Sequence, residues 1–164
     1  TLLYQCISLI STGKVINTTT QTGGTLQGGL TQAPSTGFLG QQITSTATAV
    51  ATTSTTSKSI TNISVTAGIW DISAIAGAQA TGGTSAMQGQ AVGISTTDNT
   101  LTGSLGVDHF QITGAALAVN VLSGCVPVIR AVLTGTTTYY VVVNNTYTST
   151  TCPTNARITA TRVG

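Results

Sequence analysis

Branching at Cβ sets the strongest limit on what this chain can become. Threonine, valine and isoleucine recur through almost every segment, and glycine interrupts them every few residues. Such side chains lose rotamer freedom in a helix and pack well on a pleated surface, so they drive the backbone toward strands. Glutamate, a good helix former, is absent from the sequence. The pattern predicts strands over residues 2–10, 41–50, 59–65, 69–78, 88–95, 109–113, 116–122, 126–132, 137–147 and 156–162, with turn-forming glycine, asparagine or proline between them. Short strands at this spacing predict an all-β fold, and we expect an antiparallel β-sandwich of jelly-roll-like form.

At 164 residues the chain fits one domain with an extension. Residues 18–37, TTTQTGGTLQGGLTQAPSTG, are rich in glycine pairs and glutamine and lack a sustained alternation. They read as a linker. We therefore expect residues 1–32 to form an N-terminal strand and tether, and residues 33–164 to form the sandwich. The segment TLLYQCISLI alternates apolar and polar residues and suits pairing with the sheet edge of another chain. It is short and has no basic leader, so it reads as a strand and not as a signal.

Only 5% of residues are charged, and the net charge is +2. The five basic residues, Lys14, Lys58, Arg130, Arg157 and Arg162, are scattered. Phosphate backbones require clustered cations, so no nucleic-acid partner is expected. Mean hydropathy is +0.34, yet the apolar runs fall far short of the roughly 20 residues of a spanning helix. No membrane partner is expected.

Catalytic chemistry finds little to build on, and the expectation is that the chain is not an enzyme. Asp108 and His109 are the one neighbouring carboxylate and imidazole, but adjacent strand residues point to opposite faces and cannot share a substrate. No GxSxG motif is present, and the glycine-rich residues 80–90, ATGGTSAMQGQ, lack the lysine of a phosphate loop. One histidine, three aspartates and three cysteines show no ligand-like spacing, so no metal or cofactor is expected. Trp70 reads as a core aromatic, with Asp71 turned outward or bonded at a turn; stacking of a sugar on Trp70 is the functional alternative. Cys125 and Cys152 flank the strand at 137–147 and would bridge if their strand ends met, leaving Cys6 free or linked to another chain. Three free thiols are the other expectation for a protein assembled in a reducing cytoplasm.

Four separated stretches resemble one family. They are TNISVTAGIWDIS at residues 61–73, ISTTDNTLTGS at 94–104, VPVIRAVLTGTTTYYVVVNNTY at 126–147 and ARITATRVG at 156–164, preceded by APSTGFLGQQITST at 33–46. In this order they resemble the small β-structured fibre or virion-decoration proteins of tailed bacteriophages, over about residues 33–164. Ile69 departs from that family's polar preference, and Thr161 stands where it prefers arginine. The resemblance implies a non-enzymatic structural protein of the virion surface, a capsid decoration or head fibre in preference to a tail fibre. It also implies a homotrimer, with the N-terminal arm docking on other virion proteins such as the major capsid protein. A fibre tip that binds host-surface glycan, and a secreted adhesin or pilin-like subunit, are the alternatives.

The strand TTTYYVVVNNTY, residues 136–147, is apolar on both faces. Tyr139, Val141 and Val143 share one face, while Tyr140 and Val142 share the other. Within the resemblance, the first face fills the sandwich, and Tyr140 and Val142 meet a neighbouring copy, with Cys6 as a further intersubunit contact.

Overall fold

A computed structural model describes residues 36–82, 86–113, 120–148 and 151–164 of the chain. Alternating side chains produce eight strands: β1 (Gln42–Ala51), β2 (Ser57–Val65), β3 (Gly68–Gln79), β4 (Ala86–Ser95), β5 (His109–Thr113), β6 (Val121–Leu133), β7 (Thr137–Thr148) and β8 (Pro153–Arg162). They form two four-stranded antiparallel sheets in the orders β1-β8-β3-β6 and β2-β7-β4-β5. The chain crosses between the sheets at most connections, and its last strand inserts between β1 and β3. This is the wrapping of an eight-stranded jelly roll. The predicted strand at 2–10 and the intersubunit-contact candidate Cys6 lie outside the described residues.

Period-two burial holds the sheets together. Trp70, Ile72 and Ala74 on β3, Ile158 and Ala160 on β8, Val92 and Ile94 on β4, and Val141 and Val143 on β7 fill the space between the sheets. Close approach of the sheets requires glycine at Gly124, where a Cβ would stand 2.6 Å from the Phe110 ring and 3.3 Å from Val92. A smaller apolar cluster, Ala78, Ala80, Met87, Leu122 and Cys152, closes one end.

A buried polar layer separates the two clusters. Gln90, Asn145 and Thr154 are almost fully enclosed. Each stands on its strand between a residue of the main cluster and one of the smaller cluster. Gln90 Nε2 donates to Asn145 Oδ1 at 3.3 Å, and Asn145 Nδ2 donates to Thr154 Oγ1 at 2.9 Å and Thr52 Oγ1 at 3.2 Å. Buried amides are tolerated here because their donors find partners. Gln90 Oε1 alone in this layer has none.

The predicted strands at 116–122 and 126–132 correspond to β6, a continuous strand from Val121, with residues 114–119 outside the described set. Pro127 does not break it. β6 is an edge strand, and its register against β3 shifts between Ile72 and Ala74, so a bulge accommodates the missing N–H. At the opposite edge, β1 bulges at Ala49, whose φ is +55° and whose N–H donates to Asn155 Oδ1 at 2.7 Å.

Candidate functional site

The outer face of the β2-β7-β4-β5 sheet carries the most developed surface feature. β4 presents Gly89, Ala91 and Gly93 outward, and its neighbours pair Thr146 and Thr113 with Gly89, Asn144 and Gln111 with Ala91, and Val142 and His109 with Gly93. Small residues on a central strand flanked by longer ones leave a trough along that strand. It measures about 250 Å³ and is lined by His109, Gln111, Thr113, Asn144 and Thr146, with Leu101 closing one end.

The loop between β4 and β5 makes that closed end. Asn99, at φ +53°, donates its N–H to Ser59 Oγ at 2.8 Å, while the Ser59 N–H donates to Asn99 Oδ1 at 2.9 Å. Ser59 lies on β2, so the loop must cross β7 to reach it. Its return is fixed by Thr102 Oγ1 donating to Ser95 Oγ at 2.9 Å and by the Ser104 N–H donating to Asp108 Oδ1 at 2.7 Å. Leu101 then lies on Gly93, where a Cβ would meet Leu101 Cδ1 at 2.6 Å.

This strap corrects the expectation for Val142. Its side chain does face away from the sandwich core, but it is 0% exposed because the strap covers the strip of sheet between Ser59 and Gly93. At Val142 the apolar back of the strand is covered within the chain. Tyr140, two residues earlier, keeps partial exposure and sits beside Asn62, Asp98 and Asn99.

The other singled-out residues are dispersed. Trp70 is fully buried and donates Nε1–H to Thr66 O at 2.9 Å, which removes it from any sugar-stacking role. Asp71 does point outward, into a bidentate pair with Arg130 at 2.8 and 2.9 Å. Arg130 holds the Asp71 carboxyl below its usual range, chiefly through these hydrogen bonds. Cys125 and Cys152 are free thiols, so of the two expectations the bridge between them is the one that falls. Cys125 is exposed on β6 opposite Ile75, whereas Cys152 is buried in the small cluster, its Sγ 3.6 Å from Met87 Sδ. Burial raises the pKa of the Cys152 thiol.

Asp108 and His109 part as their strand positions require: Asp108 ties the strap, while His109 lines the trough. His109 Nε2 is buried without a hydrogen-bond partner. The trough residues Gln111, Asn144 and Thr146 carry no motif, and only strand order brings them together. Among the described residues no three histidine, cysteine or acidic side chains stand close enough to share a metal. What the trough offers is amide, hydroxyl and imidazole hydrogen bonding over a small-residue floor, without a carboxylate or a lysine.

No protein-family model matches the chain, and no curated protein matches it. Among solved structures, it is similar to a chain in the structure of infectious bursal disease virus, Gx strain, with a TM-score of 0.39 and 11% identity. The similarity covers 85% of this chain and 38% of that one, so this chain spans well under half of its length.

Proposed function

We propose that the chain is a non-enzymatic structural protein of a tailed-phage virion surface, a capsid decoration or head fibre. In this reading the sandwich self-associates as a homotrimer, and residues 1–32 anchor it to other virion proteins such as the major capsid protein. One observation supports it: the stretches that resemble the phage family coincide with parts that build the sandwich and its strap. Residues 61–73 cover the β2–β3 connection and place Trp70, and residues 94–104 form the first part of the strap. Residues 126–147 hold the bulged part of β6 and the centre of β7, and residues 156–164 bring Arg162 onto Trp70.

The test is copy number in purified particles by quantitative mass spectrometry. Copies on the scale of the shell subunits support a capsid location, and a few per particle support the tail. Absence from particles overturns the proposal.

The trough favours a second reading, a receptor-binding domain that holds a neutral saccharide between Gln111 and Asn144. A glycan array is its test. Binding lost in Gln111→Ala and Thr146→Val supports it, and a silent array removes it.

A further inference from the structure

The β1-β8-β3-β6 sheet has an outer face that nothing among the described residues covers. Across it runs a shallow groove of about 470 Å³ with Ile75, Gly77, Ser123, Asn155 and Arg157 in its lining. Registers explain its shape. Gly77 pairs with both Asn155 and Ser123, so the middle of that row lacks a side chain, while Ile75 and Arg157 pair with each other in the next row on the same face. The lining is largely apolar, and the one charged group in it is Arg157.

Arg157 is exposed and makes no ion pair with any described residue. Asp71, two rows further along the same face, is engaged by Arg130. We infer that this groove docks an acidic, apolar segment of another protein, whose apolar side chain fills the depression over Gly77 while its carboxylate meets Arg157. A hydrophobic pocket beside an unpaired cation recognises that pairing by charge complementarity.

Residues 1–35 contain no aspartate or glutamate, so the N-terminal segment brings no carboxylate to Arg157. In a second copy, Asp71 is paired and Asp108 accepts the Ser104 N–H, which leaves only Asp98 in the strap of the other sheet. Addition of a strand to this sheet is opposed at both edges, by Pro127 on β6 and by the Ala49 bulge on β1. The face itself remains. This inference goes beyond the virion reading and does not require it.

The test is a 15N-HSQC titration of the full chain with acetyl-Leu-Asp-Leu-amide and with its neutral isostere acetyl-Leu-Asn-Leu-amide. The expected result is saturable shifts at Ile75, Gly77 and Arg157 with the acidic peptide, and binding at least about fivefold weaker with the neutral one. Gly77→Leu should abolish the shifts by filling the depression. A Cβ at Gly77 makes only ordinary contacts, with Ser123 Cβ at 3.7 Å and Leu122 O at 3.9 Å, and an unchanged circular dichroism spectrum checks that the variant is folded. Arg157→Gln should abolish them too, and Arg157→Lys should restore part of the affinity. Equal binding of the two peptides, no saturable shift, or shifts that persist in both variants would overturn the inference. So would a fall in particle mass by light scattering on Gly77→Leu, which would show that a second copy fills the groove.

Discussion

Arg162 lays its guanidinium over Trp70, 5.5 Å from the ring centroid, and so closes the core at the end where β3 begins and β8 finishes. Glycine at 68 leaves room for that side chain in this position: a Cβ there would approach Arg162 Nη2 to 2.6 Å, and its φ of +140° favours glycine in any case. A cation over an indole contributes about 0.5–2 kcal/mol, depending on desolvation. Arg162→Met should lower unfolding free energy by an amount in that range, and Trp70→Ala by roughly 3–5 kcal/mol. Urea denaturation followed by circular dichroism measures both, and no loss in Arg162→Met would show that the stacking is energetically idle.

The Asp71–Arg130 pair predicts an acid dependence. The folded chain holds the Asp71 carboxyl below its ordinary value of 3.8, so the pair's contribution is present above that value. It is lost as pH falls through the lower, folded-state pKa. The difference in urea midpoint between the native chain and Asp71→Asn should therefore be present at pH 7 and vanish under strong acid. High salt at pH 7 should also shrink it, since the pair lies at the surface. A difference that persists in strong acid would assign the effect of the substitution to something other than charge.

The cysteines should react in sequence. In a Cys6→Ser background, a maleimide should label Cys125 in the folded chain and leave Cys152 unlabelled until denaturant is added. Intact-mass spectrometry before and after unfolding reads this directly. A mass deficit of two hydrogens without reductant, with no thiol free in the Cys6→Ser chain, would instead reveal a bridge.

Tyr140 and Val142 should separate folding from assembly. Val142→Thr buries a hydroxyl beneath the strap and should cost about 1–3 kcal/mol of stability. Tyr140→Thr, at a partly exposed site, should leave the urea midpoint nearly unchanged and report on association through light scattering. Equal stability loss in the two variants would contradict the covering of Val142.

Strand positions were open to reading because side-chain alternation survives in the sequence: all eight strands fall on predicted segments, with ends shifted by a few residues. Trp70 was legible for the same reason, as an apolar residue in phase with Ile72 and Ala74. The continuity of β6 was not legible, because Ser123, Gly124 and Cys125 read as a break between two predicted strands, whereas β6 runs through them and keeps Pro127 at a sheet edge. The burial of Val142 was illegible. Alternation places it on the outer face, but the bond between Asn99 and Ser59 that draws a loop over it joins residues 40 apart in sequence. The trough and the groove were hidden likewise, since each depends on which strands become neighbours, and periodicity carries no strand order.

The polar layer has a consequence for how the chain finds its structure. β7 contains two tyrosines, three valines and two asparagines in succession, so sliding it by one residue puts Tyr140 and Val142 in the places of Tyr139 and Val141, and Asn144 and Thr146 in those of Val143 and Asn145. At the first two places hydrophobic collapse does not distinguish the registers. The choice falls to Asn145, which must meet Gln90, Thr154 and Thr52 at once, and to Tyr147, whose hydroxyl donates to Thr52 O. A few hydrogen bonds inside an apolar sandwich thus act as the proofreading step for its central strand.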